Sequence, residues 1–89
     1  MTNSVYETGQ RLAKLETAQE ILTALGSTRS GWIFAEKKKP NPDENKMQQW
    51  QLEREELSDL RDSLTMNDTT QLQITINTYG PQLKALLTT

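Results

Sequence analysis

The side chains that could do chemistry in this chain are carboxylates and lysines, because the sequence contains neither histidine nor cysteine. The absence of both excludes a disulfide framework, a zinc finger, a thiol nucleophile and histidine-dependent catalysis. Glu55 and Asp59, four residues apart, could offer oxygens to a metal ion, but a di-iron helical bundle also needs histidine ligands. We interpret the pair as part of a solvated acidic face. The sequence predicts no enzyme, no metal site and no cofactor.

Lys37, Lys38 and Lys39 form a basic run directly before Pro40. Such a run could contact phosphate groups or serve in nuclear import. Five basic and three acidic side chains give residues 29–46 a net charge of +2, while the whole chain carries −2 and has a pI near 5.0. An acidic chain is a poor general ligand for nucleic acid. The overall charge therefore argues against nucleic acid as a partner, and its binding by this basic segment is retained as an alternative.

Three large apolar residues, Trp32-Ile33-Phe34, lie between Gly31 and the lysine run. They could cover the open end of a helical hairpin, or they could anchor another protein, since binding hot spots favour tryptophan and other rigid aromatic side chains. The sequence leaves both interpretations open. The predicted partner-binding residues are Trp32, Ile33, Phe34, Lys37, Lys38, Lys39 and Trp50.

The spacing of apolar residues predicts a first helix over about residues 4–25. Its stripe follows a 3-3-4-3 pattern, which keeps the side chains on one helical face: Leu12, Leu15, Ala18, Leu22 and Leu25. Asn3 or Ser4 is the expected N-cap, and Gly26 is the expected left-handed C-cap. Residues 27–42 break the pattern and are predicted to form a flexible loop.

A second helix is predicted over about residues 41–64, with Asn41 as its N-cap and Pro42 at its first position. The helix has an apolar stripe formed by Met47, Trp50, Leu57, Leu60 and Leu64. Glu53 and Arg54 interrupt this stripe in the middle. The sequence therefore predicts a weak seam between the first two helices.

The last segment, about residues 68–87, fits two patterns. Leu72, Ile76, Tyr79 and Leu83 have helical spacing, whereas residues 72–77 also alternate between apolar and polar as in a strand. We favour a third helix, interrupted at Gly80-Pro81 because proline breaks helical hydrogen bonding. The alternative is an α+β fold with short strands near 32–37 and 71–78.

The expected architecture is a single all-α domain over residues 1–89, with two long helices in a hairpin-like arrangement and a third, interrupted helix. The apolar stripes are narrow, and stability is the small difference between burial and chain entropy. We therefore expect a homo-oligomer, most simply a two-fold dimer. No apolar stretch approaches a membrane span and no signal-peptide pattern is visible, so the expected location is cytoplasmic.

These features together favour a non-enzymatic protein that acts by binding another protein. Expected types are small regulatory or adaptor proteins, such as an inhibitor, an antirepressor or a chaperone. One alternative is a small nucleic-acid-associated factor that uses the basic segment 29–46. Another is a structural subunit of a helical assembly.

Overall fold

The computed structural model describes residues 2–88 and the side chains of residues 5–88. Three helices follow one another along the chain: α1 (Thr2–Lys37), α2 (Glu44–Ser63) and α3 (Thr69–Leu87). The described residues are 86% helical and include no strand. The predicted all-α fold is confirmed, and the alternative with strands near 32–37 and 71–78 is wrong.

Helix α1 continues from its predicted end near residue 25 to Lys37. Gly26 lies inside the helix, and no glycine in the described part of the chain has a positive φ. The predicted C-cap at Gly26 is therefore wrong, and so is the predicted loop over residues 27–42 as far as residue 37. The connection to α2 comprises residues 38–43. The side chains of the predicted N-caps, Asn3 and Ser4, lie outside the described part.

The hydroxyl groups of the polar run after Gly26 bond to carbonyl oxygens of the helix itself. Thr28 Oγ1 donates to the Leu25 carbonyl oxygen at 2.6 Å, and Ser30 Oγ donates to the Gly26 carbonyl oxygen at 3.3 Å. Bonds of this kind satisfy serine and threonine side chains within a helix. The low helix propensity of the run is therefore tolerated.

A set of polar contacts, here called the polar clamp, joins this part of α1 to α2. Arg29 Nε donates to Glu53 Oε1 at 3.1 Å, and Arg54 Nη1 donates to Ser30 Oγ at 3.0 Å. The two residues that interrupt the α2 stripe thus find partners on α1. The seam that looked weak in the sequence is a polar part of a continuous helix–helix interface.

The first two helices form the predicted hairpin. Arg61 Nη1 donates to Thr23 Oγ1 at 3.4 Å, and Arg29 pairs with Glu53. The earlier residue of α1 thus meets the later residue of α2, so the two helices run antiparallel. The apolar core lies to one side of the clamp, toward the start of α1 and the end of α2, and draws on all three helices and the α2 C-cap: Ala18, Leu22, Leu25, Leu57, Leu64 and Leu72. Helix α1 is the central element of the fold.

Helix α2 begins two residues after its predicted start. Asp43, rather than Asn41, is the N-cap, and its side chain accepts a bond from the Lys46 backbone N–H at 3.1 Å. Such a bond satisfies one of the unpaired N–H groups of the first turn. The helix ends at Ser63 with Leu64 as its C-cap, one residue from the predicted end.

Helix α3 begins as predicted, with Asp68 as its N-cap accepting from the Gln71 N–H at 3.0 Å. It is continuous through Gly80 and Pro81, so the predicted interruption is wrong. Proline disfavours a helical conformation in the preceding residue, partly because the proline ring clashes with the Cβ of that residue. Gly80 has no Cβ, which removes this clash and lets the helix pass.

The three helices form an elongated molecule. Thr69 at the start of α3 lies near Lys14, and Tyr79 lies near Arg29, so α3 runs parallel to α1. Among the described residues, α2 and α3 have no Cα atoms within 8 Å of each other. The Cα extents are 63 × 26 × 16 Å and the radius of gyration is 16.2 Å, against about 12 Å for a compact chain of this length.

Candidate functional site

The two tryptophans meet where the α1–α2 hairpin closes. Trp32 and Trp50 have ring centroids 5.7 Å apart and ring planes inclined by 54°. Trp32 follows Leu25 by seven residues on α1, and Trp50 precedes Leu57 by seven on α2, so each ring extends the stripe of a buried leucine. Both rings are only half-buried. The pair therefore closes the core and also faces solvent.

A surface groove of about 320 Å³, here called the tryptophan groove, lies beside the pair. It is lined by Trp32, Ala35, Glu36, Lys39 and Trp50. Its walls are mainly aromatic and aliphatic, and a carboxylate and an ammonium group lie at its edge. An apolar concavity with a few polar groups is the usual form of a binding site.

Arg29 fixes the orientation of Trp32. The guanidinium carbon lies 4.9 Å from the centroid of the indole ring, a cation–π distance. The same guanidinium bonds to Glu53 through Nε and to Thr28 Oγ1 through Nη1, both at 3.1 Å. Because Arg29 is held on several sides, the indole face packed against it is held as well.

Glu36, near the end of α1, supports the groove through bonds to the connection between the helices. Its side chain is buried, and its Oε2 accepts the Asp43 backbone N–H at 3.0 Å while its Oε1 lies 2.9 Å from Lys39 Nζ. The Asp43 N–H and the Lys39 ammonium hold the pKa of the Glu36 carboxyl below its ordinary value. The carboxylate therefore stays ionised at neutral pH and ties the start of α2 to the end of α1.

The predicted aromatic cluster of residues 32–34 does not act as one unit. Trp32 faces the groove, Ile33 is buried, and Phe34 is 61% exposed. Consecutive residues of an α-helix are separated by about 100°, so Trp32 and Phe34 lie about 200° apart around α1. The helix thus places Phe34 on a different face from the groove, and a mobile loop carrying all three residues is excluded.

The lysine run is also divided. Lys39 lies at the edge of the groove, whereas Lys38 Nζ lies 4.2 Å from the centroid of the Phe34 ring. Lys37 is the last residue of α1 and is exposed. Of the predicted site residues, the structure brings Trp32, Trp50 and Lys39 together in one groove.

Sequence reasoning missed Arg29, Ala35 and Glu36, which complete the site. The signal was available in their spacing. Arg29 and Glu36 continue the series that begins at Leu22 in steps of seven residues, as expected for one face of a continuous helix. The glycines and hydroxyl residues of 26–31 masked this pattern.

Other surface features offer less. A depression of about 400 Å³ on α1 is lined by Glu16, Gln19, Glu20, Thr23 and Ala24, none of which is aromatic. Glu55 and Asp59 are exposed on α2, where Glu55 Oε1 accepts a bond from Gln51 Nε2 at 3.1 Å. Across the part of the chain that the structure describes, no group of three or more acidic side chains could hold a metal ion.

With the groove described, the chain can be compared with known proteins. The chain matches no protein-family model, and no curated protein or solved structure matches it. Within residues 2–88, no helix has both the length and the apolar character needed to cross a bilayer.

Proposed function

We propose that this chain is a small non-enzymatic regulatory or adaptor protein that binds another protein through the tryptophan groove. The observation that carries the proposal is a pair of tryptophans left half-exposed although Arg29 and Glu36 hold their surroundings in place. Preorganised aromatic surface of this kind favours binding, since little side-chain freedom is lost on association. An apolar side chain of the partner would occupy the groove.

The ion pairs of the structure favour this proposal over the nucleic-acid alternative. Two of the five cations in the basic segment 29–46 are paired within the chain, Arg29 with Glu53 and Lys39 with Glu36. A nucleic-acid surface needs its cations available for phosphates. The alternative has a clear signature, a steep fall in affinity with rising salt. We expect a labelled single-stranded oligonucleotide to show no such binding.

The groove can be blocked without removing either tryptophan. Ala35 lines the groove and is exposed, so Ala35→Arg would place a long side chain there while keeping a good helix former in α1. Ala85, exposed on α3, provides a matched control as Ala85→Arg. Circular dichroism should show the same helicity for both variants and the original chain.

The test is quantitative capture from an extract, followed by titration of the purified partner. We expect a protein that the original chain and Ala85→Arg retain and that Ala35→Arg loses, with affinity at least about tenfold weaker, or 1.4 kcal/mol. Equal binding by both variants would contradict the proposed site. Loss of binding in both variants would show that added charge, rather than the groove, determines the result.

A further inference from the structure

The first turns of α1 extend beyond the packed body of the molecule. Residues 5–16, here called the α1 arm, are exposed except for the half-buried Leu15. Within the arm, Val5 is 79% and Leu12 is 45% exposed. The start of α3 lies beside another face of the arm, near Lys14, and leaves these two apolar side chains uncovered. Apolar side chains aligned on the exposed face of a helix indicate a surface that packs against something else.

Val5, Leu12 and Leu15 lie on one face of the arm together with Thr8, whereas Tyr6, 68% exposed, lies on another face. Val5, Thr8, Leu12 and Leu15 follow a 3-4-3 spacing, the pattern by which one helix packs along another. The next residue of this face with a large apolar side chain is Leu22, which belongs to the core together with Leu64 at the end of α2. The face that packs on α2 therefore continues along the arm beyond the end of α2.

We infer that the arm packs against the arm of a second copy of this chain in an antiparallel, two-fold dimer. In a parallel pair both copies of α2 would compete for space, because α2 covers this same face beyond Leu15. In an antiparallel pair the two packed bodies point away from each other. Val5 then lies opposite Leu15 of the second copy, and Thr8 lies opposite Leu12.

The charges of the arm are compatible with packing against the arm of a second copy. Glu7, Arg11, Lys14 and Glu16 give the arm no net charge, so two arms do not repel each other. Glu7 and Arg11 lie on the same flank, four residues apart. An antiparallel copy brings Glu7 of one chain near Arg11 of the other, twice in a two-fold dimer. A strongly acidic or basic partner would not find an opposite net charge on the arm.

The surface area of the chain points the same way. Its accessible surface is 6358 Å², about 1,000 Å² more than the roughly 5,300 Å² expected of a compact monomer of this mass. A standard protein interface buries about 800 Å² per partner. Association through the arms would remove part of this excess surface from solvent.

The experiment compares Leu12→Glu with Ile74→Glu by sedimentation and light scattering. Ile74, 51% exposed on α3, matches Leu12 in exposure but lies outside the arm. We expect the original chain and Ile74→Glu to form a species of twice 10.2 kDa, and Leu12→Glu to remain a monomer with unchanged helicity in the body. Small-angle scattering of the dimer should give a length of about 100 Å, which is twice the 63 Å extent of one chain less an overlap of about 24 Å between the arms at 1.5 Å per residue.

Four results would overturn the inference, the last of them a short scattering length. One is a monomer at all concentrations from about 1 to 100 µM, the range in which mass action reveals association. The second is a dimer that both glutamate variants preserve or both abolish. The third is a dimer that Ala35→Arg abolishes and Leu12→Glu preserves, which would place the self-interface at the tryptophan groove. A short scattering length would exclude the antiparallel arrangement of arms.

Discussion

Glu36 shows how much one residue contributes at the end of the hairpin. It accepts the N–H of Asp43 and pairs with Lys39, so it connects the end of α1, the connection and the start of α2. Lys39 is in turn part of the groove wall. A single buried carboxylate therefore links the hairpin's closure to the shape of the proposed binding site.

Because the pKa of Glu36 is lower in the folded chain than its ordinary value near 4.5, its ionised form stabilises the fold. Its stabilising contribution is present above the unfolded pKa and is lost as pH falls through the folded pKa. We expect the original chain to melt at a higher temperature than Glu36→Gln at pH 7. The difference should shrink as pH falls below about 4.5. Equal melting temperatures at neutral pH would contradict this role.

At the same scale, the site could be predicted in part. The residue types identified Trp32 and Trp50, because a tryptophan in a polar chain is expected either to cover the core or to anchor a partner. The division of Trp32 from Phe34 could not be predicted while residues 27–42 were read as a loop. A loop places neighbours together, whereas a helix separates residues two apart by about 200°.

The elements differ in how far local sequence determines them. Asp68 begins α3 as predicted and α2 ends within one residue of its predicted end, because caps and apolar spacing are local signals. Helix α1 continues through Gly26 because Arg29 and Ser30 bond to Glu53 and Arg54. Each of these partners lies 24 residues farther along the chain. A contact at that separation overrides the low helix propensity of the residues around Gly26.

Gly26→Ala tests the continuity of α1. An added Cβ would lie 3.9 Å from Arg54 Cγ, an ordinary van der Waals distance. We expect about 0.5–1 kcal/mol of added stability, since alanine is favoured over glycine inside a helix. Denaturant unfolding measures it, and Gly31→Ala, with nothing within 4 Å of its added Cβ, should behave alike. A left-handed Gly26 would instead make Gly26→Ala destabilising.

Across the whole molecule, α3 packs mainly along α1, because the Cα atoms of α2 and α3 do not approach within 8 Å of each other in the described chain. The contribution of α2 is through side chains such as Leu57 in the shared core. Leu72, fully buried in the core, is the strongest apolar attachment of α3. We expect the structure to open by releasing α3 before the α1–α2 hairpin, as expected for units that share few contacts.

Leu72→Ala should therefore cost about 2–5 kcal/mol, the usual range for a buried leucine. Hydrogen exchange should show a larger loss of amide protection in α3 than in α2. Leu87→Ala, at a residue 75% exposed on the same helix, should change stability by less than about 0.5 kcal/mol. An equal loss of protection in α2 and α3 would mean that the three helices open as one cooperative unit.

The polar clamp also determines the alignment of the two long helices. Trp50, Leu57 and Leu64 recur every seven residues on α2, so the apolar contacts alone would permit α2 to slide along α1 by seven. After such a slip Glu53 would face Leu22, and its half-buried charge would lack Arg29. Unpaired charges in an interface are costly, and polar pairs are known to fix helix alignment. The clamp thus selects one register among several that the leucines would accept.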